Sequence, residues 1–215
     1  MNVEIRNIKV RYLFLFFTIA YISLYWYNFN FVTRDQLFYN SLGEQISMNG
    51  VKTVLELNKK FRWLSYAGVP VFLYLKWVLV ATCLYIRLFF YDGETRFLSA
   101  MKVAAFAEIM LVFTVVIKLA LLSFFIKPET LEQLQNFTPL SLYSVFKKSA
   151  VPFYFVYLLQ SINLFELFYI LFLSWGVKEI TTLSFGKSIY YTFTSYGIGL
   201  LFWIVLVVFF QQYFS

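Results

Sequence analysis

Three ionisable side chains stand where the chain around them is almost wholly apolar: Lys76, Glu108 and Glu166. A fourth, Lys118, lies toward the end of its apolar run. A lysine and two carboxylates gathered away from water can do one of two things. They can hold helices together through ion pairs and hydrogen bonds, or they can form a path for a proton or cation. Other chemistry is thinly provided. The chain has no histidine, which removes the usual general acid–base and the commonest transition-metal ligand together. Its one cysteine, Cys83, sits inside an apolar run and reads as a small packing residue. There is no His-Glu-x-x-His, no aspartyl Gly-x-Gly-Asp, no Glu-Glu-x-x-x-Arg and no glycine-rich phosphate loop. No cofactor and no metal site is implied, and an enzyme is not expected.

The elements that must position these residues follow from composition. The 215 residues are 61% hydrophobic and 13% charged, against about 45–50% and about 25% in a soluble domain. Runs of this length read as transmembrane helices, and they are apolar on all sides rather than alternating as barrel strands are. The expected fold is an all-α polytopic transmembrane helical bundle forming a single domain over 1–215, with five spans at about 12–31, 65–90, 98–125, 151–176 and 188–214. The first is too long for a cleaved signal peptide and closes on Tyr25, Trp26 and Tyr27, as an anchoring span does.

Between the spans lie shorter elements. Residues 32–62 are the longest polar stretch. They predict two amphipathic helices at the membrane surface, one from Arg34 after a Thr33 cap and one from Val51 to Lys60, parted by an Asn49-Gly50 turn. Tyr91 to Arg96 reads as a tight connection. Short helices are expected from Glu129 and at Leu140 to Lys148, and a polar hairpin at Lys178 to Ser188.

Depth brings the charges together. Counting helical rise from the Tyr91–Arg96 turn puts Lys76 roughly 21 Å and Glu108 roughly 15 Å into the membrane. Glu166, counted from Gly176 on the same side, also lies at roughly 15 Å, whereas Lys118 at roughly 30 Å is near the opposite interface, where it snorkels. The prediction is that Lys76 bridges Glu108 and Glu166, tying three spans together. Gln160, Asn163 and Ser174 extend the polar face around Glu166. In the last span Ser188, Thr192, Ser195 and Gly199 recur on one narrow stripe, which predicts a seam of close helix packing. Its far face is large and apolar, with Leu201, Phe202, Val205 and Phe209.

The net charge is +7. The Lys and Arg residues gather at span ends, where they meet lipid headgroups, and no basic run is long enough to bind nucleic acid. The charges divide evenly between the two sides. Arg6, Lys9 and Arg11 lie close to the first span and favour a cytoplasmic N-terminus in the cell inner (plasma) membrane.

The run Asn163-Leu164-Phe165-Glu166-Leu167, followed by Trp175-Gly176, Leu183-Ser184 and Lys187-Ser188, resembles the Yip family of five-span membrane proteins. The resemblance covers about 151–200 and implies five spans, a cytosolic N-terminus and a non-enzymatic, partner-binding role. The expected function is therefore that of an accessory or scaffold protein. It would contact membrane lipids and bind other integral membrane proteins in a larger complex. The alternative is a small ion-coupled transporter or channel using Lys76, Glu108 and Glu166. A third reading, an organiser of lipid or curvature, rests on the amphipathic segments.

Overall fold

A computed structural model describes residues 9–43, 45–93, 95–146 and 151–214. Among them the regular structure is helical throughout: α1 Val10–Tyr27, α2 Asp35–Leu42, α3 Met48–Asp92, α4 Phe97–Phe124, α5 Leu131–Asn136, α6 Phe153–Ser161, α7 Leu164–Ile180, α8 Phe185–Thr192 and α9 Ile198–Phe214. A π-helical turn, Asn28–Val32, extends α1, and another, Phe193–Gly197, joins α8 to α9 without a break. Arg6, Lys147 and Lys148, on which sequence expectations fell, lie outside the described residues.

Among the described residues four helices are long and apolar enough to cross a membrane: Val10–Val32, Met48–Tyr91, Phe97–Phe124 and Phe185–Tyr213. The run at 151–176, expected as one span, is two helices. The break has a local cause. Asn163 caps α7 by accepting a hydrogen bond from the Glu166 amide at 2.8 Å, and its amide group donates to the carbonyls of Gln160 and Ser161 at the end of α6. The freed backbone groups are met by a neighbouring segment, since Leu142 N donates to Ile162 O and Leu164 N donates to Leu140 O. Leu140 turns left-handed, with φ of 57°, at this bridge. Apolar backbone can leave the helix only where such partners exist.

Two further expectations change. The second amphipathic helix and the second span are one continuous α3 of 45 residues, capped by Ser47 and running through Pro70. Asn49 and Gly50 therefore lie in its first turn and not in a loop. The helix expected at Leu140 to Lys148 is a short 3-10 turn, Leu142–Val145. The tight turn at Tyr91–Arg96 ends α3 as its glycine suggests, with Gly93 at φ 65° and its N–H on Phe89 O.

The core sits where α4 packs against α1, α3 and α7. Ala100, Ala104 and Ala107 give α4 a slim face, and Trp77, Leu84, Tyr169 and Leu173 fill against it. A second, smaller core lies beyond the span ends. Phe38 of α2, Val51 and Leu55 of α3 are buried there with Leu131 of α5 beside them, forming a cap. Lys59 pairs with Asp35 at 2.8 Å on its surface.

Candidate functional site

Glu108 is the centre of the polar interior. It lies in the middle of α4 and is fully buried. The Gly93 turn sends α4 back along α3, so residues at similar distances from the turn meet. Lys76 lies about 24 Å from the end of α3 and Glu108 about 17 Å from the start of α4, a difference that one lysine side chain spans. The Lys76 ammonium pairs with Glu108 Oε1. Tyr21 of α1 donates its hydroxyl to the same oxygen. Trp77 Nε1 donates to Oε2 at 2.9 Å. The ammonium also stands 5.6 Å from the centre of the Tyr21 ring. Phe14 and Phe17 hold Trp77 edge-on, at 5.9 and 6.0 Å. Both carboxylate oxygens are thus engaged by donors from two other helices, in a wall of aromatic rings. The Lys76 side chain keeps 37% of its surface exposed.

Glu166 forms no ion pair among the described residues, but it lies near enough to Lys76 to feel its charge. It occupies the first turn of α7, directly after the helix break, and its Oε1 accepts from the Tyr196 hydroxyl at 2.6 Å. Tyr196 is carried by the π-helical turn Phe193–Gly197. Tyr169 lies one turn along α7 from Glu166, fully buried and edge-on to Tyr196 at 5.4 Å. Its hydroxyl has no hydrogen-bond partner among the described residues. The sequence placed Lys76 between two carboxylates. In the structure the ion pair is with Glu108, and Glu166 is bonded instead by the Tyr196 hydroxyl. Gln160 and Asn163 serve the helix break, Gln160 through Asn136 Oδ1 at 3.2 Å, and Ser174 bonds Ile170 O of its own helix.

Sequence reasoning missed Tyr21, Trp77, Tyr169 and Tyr196. For Trp77 a signal existed, because tryptophan in a span usually sits at the interface and here it is next to a mid-span lysine. The other predicted residues are placed as follows. Ser188 and Thr192 are fully buried, and Gly199 faces Cys83 so closely that a Cβ there would lie 2.7 Å from the sulfur. Ser188 and Ser195 bond carbonyls one turn back on their own helix, so their exposed polarity is small. Lys118 lines a chamber of about 350 Å³ with Asn28, Thr33 and Asn58 near the cap. Among the described residues no three His, Cys, Asp or Glu side chains cluster to hold a metal ion.

The chain matches no family model, no curated protein and no solved structure. The arrangement itself therefore carries the chemistry. Glu108 with its three donors is a closed, fully bonded ionic joint. Glu166 with Tyr196 and the unpaired Tyr169 hydroxyl is a looser acidic centre beside a broken helix.

Proposed function

We propose that this protein is a non-enzymatic integral membrane protein, an accessory or scaffold subunit that binds other membrane proteins in a larger complex. In this reading it lies in the inner (plasma) membrane with a cytoplasmic N-terminus and makes five passes, α6 and α7 together forming the fourth. The observation that carries it is the saturation of Glu108 by Lys76, Tyr21 and Trp77. A carboxylate with its oxygens already engaged has little left for a substrate or a moving ion, and it serves best as a joint fixing α1, α3 and α4. The helices at the two ends of the chain support the same reading. Over their most apolar windows Val10–Val32 and Phe185–Tyr213 are only 6% buried, and they offer broad aromatic and aliphatic faces to lipid or to a partner helix. The likeness to the Yip family at Asn163–Leu167, Trp175-Gly176 and Lys187-Ser188 points the same way.

The test is purification from the native source in mild detergent, with mass spectrometry of what accompanies the chain. A stoichiometric membrane partner is expected. A monomer that carries ions across liposomes refutes the scaffold. That second reading, a small ion-coupled transporter or channel through Lys76, Glu108 and Glu166, is favoured by one specific feature. Glu166 sits at a break between two helices, the kind of irregular backbone that transporters use to hold ions.

A further inference from the structure

The junction between the cap and the span ends holds more cations than the carboxylates described around it neutralise. Two adjoining cavities, of about 450 and about 390 Å³, share Arg34 as a common wall. The first adds Lys127 and the second adds Lys59 and Arg62. Against these four cations stand two carboxylates on the walls, Asp35 and Glu129, and Asp35 is already taken by Lys59. The Arg62 guanidinium lies 5.1 Å over the Phe29 ring, and its Nε is buried without a hydrogen-bond acceptor among the described residues. A buried charged donor left unbonded is costly unless a ligand bonds it.

Apolar side chains share the walls with Gln36, Asn40 and Ser123. Tyr27, Phe31, Leu122 and Phe124 line the first cavity. Phe31 and Phe124 are 55% and 77% exposed, at the ends of helices α1 and α4 that are apolar enough to span the membrane. A cationic rim over an exposed aromatic wall fits an amphiphile with an anionic head.

We propose that this junction is a binding site for an anionic phospholipid, its phosphate held by Arg34 with Arg62 and Lys127 on either side and its acyl chain lying along Phe31 and Phe124. Guanidinium groups suit this task because their planar donors match phosphate oxygens in pairs. The lipid would fasten the cap to the span ends, since Arg34 opens α2 and Arg62 lies on α3.

The test is native mass spectrometry of the full-length protein released from detergent with added phosphatidylglycerol, or phosphatidylcholine of the same acyl chains. One phosphatidylglycerol per chain is expected to be retained, at a concentration at least about tenfold lower than phosphatidylcholine requires, as cations at a membrane surface dictate. The triple variant Arg34→Gln, Arg62→Gln, Lys127→Gln should lose this preference. Arg34→Lys with Arg62→Lys keeps the charge but loses the paired donors and should keep only part of it, and Lys52→Gln, exposed on the cap and lining neither cavity, should keep all of it. Equal retention of the two lipids by the unaltered protein overturns the proposal without any variant. So does an equal loss of preference in Lys52→Gln, which would mark general surface charge. Displacement of the lipid by glycerol phosphate at matching concentration would assign the cations to a soluble phosphate instead.

Discussion

Glu108 is fully buried, and a carboxylate in that position is tolerable only because its charge is answered on the spot. Removing one partner leaves the other uncompensated, so the two losses cannot simply add. Glu108→Gln leaves a Lys76 ammonium without its counter-charge, and Lys76→Met leaves a buried carboxylate. Each single change should cost about 2–4 kcal/mol, toward the lower side for Glu108→Gln because Lys76 is partly exposed. The double variant should cost less than the two together by about 1–3 kcal/mol. Unfolding midpoints in mixed micelles measure this directly, and strict additivity would mean that the pair does not form. The tyrosines around Glu166 give a second contrast. Tyr196→Phe removes the hydrogen bond to the carboxylate and should cost about 1–2 kcal/mol. Tyr169→Phe removes a buried hydroxyl that bonds nothing among the described residues, so stability should stay level or rise slightly. A larger loss in Tyr169→Phe than in Tyr196→Phe would show that the hydroxyl does have a partner.

Helices α4 and α7 approach closely at Gly176, where a Cβ would lie 2.6 Å from Val103 Cγ1 and 3.2 Å from Cγ2. Valine in a helix is held to one rotamer, so turning it cannot relieve the overlap. Gly176→Ala should therefore cost about 1–3 kcal/mol despite improved helix propensity. Pairing it with Val103→Ala should recover much of the loss, which Val103→Ala alone would not suggest. If Gly176→Ala instead stabilises the protein in the same micelle assay, the close approach is wrong. The elements also show which signals in the sequence were readable. The Lys76–Glu108 meeting was, because a charge in lipid must find a partner and the Gly93 turn sets both depths. The break before α7 was missed although Asn163 and Glu166 stand in the N-cap and third-position pattern that starts a helix. The apolar run on both sides hid it, by suggesting a single span from 151 to 176. Tyr21 and Tyr196 left no comparable mark. A tyrosine in an apolar run carries no charge that must be answered, and the π-helical turn that aims Tyr196 has no residue signature.

At the scale of the whole molecule, what the sequence did not convey is the cap. Residues 48–60 have the amphipathic pattern of a surface helix, and that pattern is satisfied equally well by packing on α2 and α5. The continuity of α3 favours packing in the cap. At 45 residues it is about 67 Å long, and hydrocarbon is about 30 Å thick, so a large part of it must stand outside the membrane. Leu57 separates the alternatives, because it is apolar yet 48% exposed, on the outer side of the cap. A helix lying along the surface would press such a residue into lipid, while Glu56 beside it stayed in water. A helix that projects puts both in water. In a Cys83→Ala background reconstituted in both orientations, Leu57→Cys should react with a membrane-impermeant maleimide at a rate like that of Glu56→Cys. Phe72→Cys and Leu79→Cys, exposed on the same helix but farther along it, should be protected. Reactivity should thus change once along the length of α3, between the cap and the aromatic belt at Phe61 and Trp63, and not with every turn. Protection of Leu57→Cys to the level of Phe72→Cys would return 48–60 to the membrane surface.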